Sequence, residues 1–94
     1  MTLKVVRAHI LVKGKVQGVG FRAFVQSQAI PLNIKGWVRN CLDGAVECEA
    51  EGEKTAIEAL LEHLRHGPVF SIVESVQVDW RAANRQTEGF QILR

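Results

Sequence analysis

The chain is predicted to be an α+β protein, two helices packed on one face of an antiparallel sheet. Three observations carry that prediction. Residues 5–13 and 72–81 alternate apolar and polar with a strand's period. Residues 21–30 and 54–66 repeat their apolar positions with a helix's period. Between them, residues 34–40 and 45–51 flank a short turn ending in Gly44. The order is β-α-β-β-α-β, with residues 90–94 as a possible fifth strand at an edge.

In the first strand Ala8, Ile10 and Val12 share one face, and Arg7, His9 and Lys13 share the other. The first helix puts Phe21, Phe24, Val25 and Ala29 inward, and Pro31 stops or distorts it near its end. In the hairpin, a three-residue loop Leu42-Asp43-Gly44 with Gly44 left-handed sets the register. Cys41 then faces Ala45, Asn40 faces Val46, Arg39 faces Glu47, Val38 faces Cys48, Trp37 faces Glu49 and Lys35 faces Glu51. One face carries Val38, Val46 and Cys48. The other carries the pairs Arg39–Glu47 and Lys35–Glu51. A slip of one residue would drive the glutamates into the core. The second helix aligns Ile57, Leu60, Leu61 and Leu64 and ends at Gly67-Pro68. In the strand that follows, Val76, Val78 and Trp80 are expected inside; residues 82–89 read as a polar loop. This is a ferredoxin-like split β-α-β sandwich.

Composition bounds the function. At 94 residues the chain is expected to be one domain, 1–94, with a single core. A net charge of +2, dispersed along the chain, argues against a nucleic-acid partner. No apolar run approaches the ~20 residues of a membrane span, and no signal peptide opens the sequence, so a cytoplasmic monomer is expected. Cys41 and Cys48 lie on opposite hairpin faces and read as free thiols. His9, His63 and His66 read as unpartnered surface residues, with no metal site implied.

Chemistry concentrates in Gly14-Lys15-Val16-Gln17-Gly18-Val19-Gly20-Phe21-Arg22. Glycines between a strand and a helix start let several backbone N–H groups converge on one anion. The backbone amides of Lys15, Val16, Gln17, Gly18, Val19 and Gly20 are the candidate phosphate cradle. Arg22, in the helix's first turn, adds a fork that binds two phosphate oxygens. A right-handed crossover makes the first two strands parallel, with their carboxyl ends together. Asn40, ending the second strand on the face of Val38, is therefore expected at the mouth of the cradle.

These stretches, with Gly36-Trp37-Val38-Arg39-Asn40, Asp43-Gly44, Gly67-Pro68, Val76 and Phe90, resemble the acylphosphatase family over essentially the whole chain. The resemblance implies hydrolysis of a small-molecule acyl phosphate to a carboxylate and inorganic phosphate, without metal or cofactor. It makes Arg22 the phosphate-binding arginine and Asn40 the water-orienting asparagine. Pro31 and Leu32-Asn33-Ile34 replace the longer helix and glycine-containing turn of related chains. Three rivals are weaker. Gly18-x-Gly20-x-x-Ala23 fits a dinucleotide fingerprint, but Asn40 stands where that fold needs an acid. An RNA-binding domain of the same order stacks bases on central-strand aromatics, where this chain has Glu47, Glu49 and Glu51. A similar domain opens the carbamoyltransferase of hydrogenase maturation; a chain ending at Arg94 favours a free-standing enzyme.

Overall fold

A computed structural model describes residues 4–94. In chain order it has β1 (Val5–Lys15), α1 (Phe21–Ala29), a 3-10 turn (Ile30–Leu32), β2 (Lys35–Asn40), β3 (Val46–Glu53), α2 (Lys54–His66), β4 (Ile72–Ala82) and β5 (Phe90–Ile92). The sheet order is β4-β1-β3-β2-β5. β3 runs antiparallel to both β1 and β2, which are therefore parallel to each other. β5 joins the edge parallel to β2, so the five-stranded sheet is mixed rather than purely antiparallel.

Both helices bury their apolar stripes on one face. Ala8, Ile10 and Val12 of β1, Val38 of β2 and Val46, Cys48 and Ala50 of β3 form the floor. Phe21, Val25 and Ala29 of α1 and Ile57, Leu60, Leu61 and Leu64 of α2 close over them. Phe24 packs at the margin, partly buried. α1 covers β2 and β5, and α2 covers β3 and β4. Both cysteines are free, and burial pushes the Cys48 thiol upward, so it stays neutral in the core.

The hairpin register agrees with the expected pairing from Lys35↔Glu51 to Asn40↔Val46. The Cys41 amide donates to the Ala45 carbonyl at 2.8 Å, closing the loop in which Gly44 takes a positive φ. Gly36 has a different constraint. A Cβ there would fall on the Glu49 carbonyl oxygen of the neighbouring strand. Its φ of +151° is also one that side chains rarely adopt. α1 ends at Ala29, and Pro31 sits inside the 3-10 turn instead of truncating the helix abruptly. Asn33 takes the left-handed conformation at that turn, φ 56°, a role its short amide allows without glycine.

The other sheet face corrects several expectations. Arg7, Glu49 and Glu51 are buried there, not solvated. Arg7 lies 3.3 Å from Glu49 and 3.6 Å from Glu51. Lys35 faces Glu51 in the ladder but does not pair with it. Glu51 instead accepts the backbone N–H groups of Asn84 and Arg85, at 2.8 and 3.0 Å. The polar loop between β4 and β5 is thereby drawn over the sheet. His9 is not unpartnered; its Nε2 donates to Glu47 at 2.6 Å, and Arg39 donates to the same carboxylate. On the helix-covered face, Trp80 sits opposite core residue Ala8 as expected, but it is 40% exposed. β4 is an edge strand, so the ring is left partly open, with the Lys54 ammonium 5.4 Å from its centroid.

The hydrogen bond from His9, with Arg39 behind it, outweighs burial and holds the Glu47 carboxyl below its ordinary 4.5. Glu47 therefore contributes stability that is full above pH 4.5 and is lost as pH falls through its lowered value. Urea titrations should show Glu47→Gln less stable than the parent at neutral pH, with the gap closing as pH falls below 4.5; a gap that widens in acid would contradict this origin. Gly36→Ala should cost on the order of 3 kcal/mol or more in the same assay, through strand separation and backbone strain.

Candidate active site

β1 does not stop at Lys13. A bulge between Lys13 and Gly14 lets it run two residues further, pairing Gly14 with Val73 and Lys15 with Ile72. Lys15 therefore belongs to the ladder, and the loop proper is Val16–Gly20. Its first residue is an anchor, since the Val16 side chain is buried in the core. Gly18 and Gly20 then take φ of 74° and 78°, the left-handed conformation that folds the loop back on itself. Open space surrounds the position of a Cβ at either glycine. They are therefore glycines for backbone conformation, unlike Gly36.

Gly20 is the N-cap of α1, and no side chain caps this end. Its carbonyl accepts from the Phe24 amide at 3.0 Å, which is the first bond of the helix. The amides of Phe21, Arg22 and Ala23 lie ahead of that bond and have no partner within the helix. Among the described residues, the amides of residues 17–20 have no backbone or side-chain acceptor either. A loop and a helix terminus thus leave a run of donors open, with the positive end of the helix dipole behind them.

These donors border a cavity of ≈ 210 Å³. Gly18, Gly20 and Arg22 line it from the loop and helix, and Asn40 lines it from the end of β2. Val16, Phe21 and Ile92 provide apolar wall. Lys15, Gln17 and Val19, also expected at the cradle, do not line this cavity. No carboxylate lines it, so the Arg22 charge is not neutralised locally by an acidic side chain. The Arg22 guanidinium uses Nη1 to donate to the Leu93 carbonyl at 3.0 Å. That single bond leaves the other donors of the fork available. Among the described residues, no three His, Cys, Asp or Glu side chains come together as a metal-binding group.

Two contributions escaped the sequence reading. The first is the C-terminal strand. Leu93 donates its amide to the Val38 carbonyl at 2.8 Å, and Gln26 donates to Phe90 at 2.8 Å. Together with Arg22, these bonds bring Ile92 to the cavity wall. Arg22 and Gln26, one helical turn apart, are the available signal: two carbonyl-seeking donor side chains on one face of α1 imply a shared partner. The second is the Gln17 side chain, which turns toward the hairpin and donates to the carbonyls of Cys41 and Ala45.

Comparison with known proteins gives matches over nearly the whole chain. The acylphosphatase family profile matches residues 8–92. An acylphosphatase from Anaeromyxobacter sp. (strain Fw109-5) is 52% identical over 86 residues, 92% of either chain. One from Bifidobacterium longum (strain NCC 2705) is 56% identical over 73 residues, covering 78% of this chain and 75% of its own. The crystal structure of acylphosphatase from Bacillus subtilis superposes with a TM-score of 0.92 at 38% identity, over 95% of this chain and 99% of that one. A segment of full-length HypF, crystallised in a phosphate- and nucleotide-bound form, superposes on the whole chain with a TM-score of 0.87 at 30% identity. It makes up 12% of that protein.

Proposed function

The chain belongs to the acylphosphatase family, hydrolases of acyl phosphates, and on that premise we propose how its residues carry out the hydrolysis. The observation that carries the proposal is the convergence of Gly18, Gly20, Arg22 and Asn40 on one cavity. The phosphoryl group of the substrate sits against the open amides of the glycine loop and the first turn of α1. Arg22 grips two of its oxygens. Fixed donors spread the negative charge that would otherwise repel a nucleophile, the main source of catalysis in phosphoryl transfer.

Water then attacks phosphorus in line with the departing acyl oxygen. A P–O bond forms to the water oxygen as the bond to the acyl oxygen breaks, and a proton of the water passes to a phosphate oxygen of the substrate, so the products are a carboxylate and protonated inorganic phosphate. Asn40 holds that water, because its amide both donates and accepts hydrogen bonds. It is no base at neutral pH. The leaving carboxylate has a conjugate acid of pKa about 4, so it departs without a proton donor. This explains why a site lined by one guanidinium, one carboxamide and backbone suffices. The buried Glu49 and Glu51 on β3, covered by the loop that Glu51 holds, support this small-molecule reading over a base-stacking RNA platform.

Arg22→Ala should abolish phosphate binding and turnover together. Asn40→Ala should bind phosphate normally and lose turnover on the order of 10²–10³-fold. Calorimetric titration with inorganic phosphate beside a benzoyl phosphate assay separates the two. Undiminished turnover in the Asn40 variant would remove that residue from the mechanism.

A further inference from the structure

The cradle and the carboxamide come from different parts of the chain, and the gap between them must be set by something. Their strands do not touch, because β3 lies between β1 and β2. The glycine loop is anchored at one end by the buried Val16 and at the other by α1, with two left-handed glycines between. Among the described residues, no backbone hydrogen bond joins it to the hairpin.

Gln17 spans that gap. Its Nε2 donates to the Cys41 carbonyl at 2.7 Å and to the Ala45 carbonyl at 2.9 Å, across 24 and 28 positions of sequence. Both partners are carbonyls, so the amide orientation is dictated: only the NH₂ end can face them. These carbonyls also close the hairpin loop. Ala45 O accepts from the Cys41 amide at 2.8 Å, and Cys41 O accepts from the Gly44 amide at 3.2 Å. Gln17 therefore plugs into the base of the loop that begins one residue after Asn40. Among the described residues, these are the only side-chain hydrogen bonds joining residues 16–20 to residues 35–46.

We propose that Gln17 is a positioning residue for the hydrolysis, a clamp that fixes Asn40, and the water it holds, relative to the phosphate cradle. This rests on the water-orienting role of Asn40 given above. The side chain acts on the neighbouring segment, and Gln17 does not itself line the cavity. Losing the clamp should therefore spoil alignment for attack more than it weakens phosphate binding, since small misplacements cost rate steeply.

Gln17→Met keeps the length and removes both donors. Its inorganic phosphate dissociation constant should stay within about twofold of the parent. Its kcat on benzoyl phosphate should fall on the order of 10- to 100-fold. Combined with Asn40→Ala, it should add little, within about threefold, because the clamp works through the residue already removed. Gln17→Glu gives a second readout. A carboxylate facing two carbonyls repels them, but its protonated form donates one bond. Activity of this variant relative to the parent should rise as pH falls toward the carboxyl pKa, ordinarily about 4.3 and raised by such neighbours. Should Gln17→Met lose its native circular dichroism, this pH profile carries the test.

Phosphate affinity falling in step with kcat would overturn the clamp, as would penalties that multiply in the double variant or a flat pH ratio for Gln17→Glu. If Asn40→Ala is slow and Gln17→Met is not, the clamp alone fails. Full turnover in Asn40→Ala instead defeats the mechanism on which the clamp rests, and the clamp with it.

Discussion

β3 is the strand on which everything else depends. It pairs on both sides, with β1 and with β2, and so fixes the two strands whose carboxyl ends carry the anion loop and Asn40. Neither strand touches the other. Their relative height is transmitted through two antiparallel ladders, each pinned by its alternation of core and open-face side chains. Gly36 shows how close that pairing is, since its neighbour's carbonyl occupies the space of a side chain. The proposed catalytic constellation is thus a property of sheet register before it is a property of any loop.

The same strand presents Glu47, Glu49 and Glu51 to the open face, and the molecule answers them with Arg7, His9, Arg39 and two loop amides. Buried ion pairs are weak sources of stability, because desolvation offsets much of their attraction. Here they do something else. Glu51 holds the segment between β4 and β5 over the sheet, which delivers β5 to the edge of β2. Glu49 keeps one buried oxygen, Oε2, without a partner among the described residues. The arrangement therefore trades some stability for a fixed chain path, and that path ends at the wall of the cavity.

How much of this was legible follows from which patterns are local. The hairpin register, both helices and the meeting of Arg22 with Asn40 come from periodicities and a glycine turn within a few residues. Lys15 escaped because a bulge carries β1 past the point where alternation stops. Trp80 takes the expected face but stays exposed, because an apolar period does not say that its strand lies outermost. The burial of Arg7, Glu49 and Glu51 depends on a loop with no period of its own, which three-dimensional pairing alone positions. The Gln17 side chain was read only as backbone, since a glutamine among glycines gives no sign of the carbonyls it reaches 24 residues away.

β5 is three residues long, and its far end is held by a site residue: the Arg22 guanidinium grasps the carbonyl of Leu93. Anything joined after Arg94 by an engineer, whether an affinity handle, a fluorescent reporter or a surface linker, follows directly on the residues that border the cavity, and under the proposed function it would compete with the ligand for room. Appendages for immobilisation belong ahead of β1, whose amino end lies at the opposite end of that strand from the anion loop.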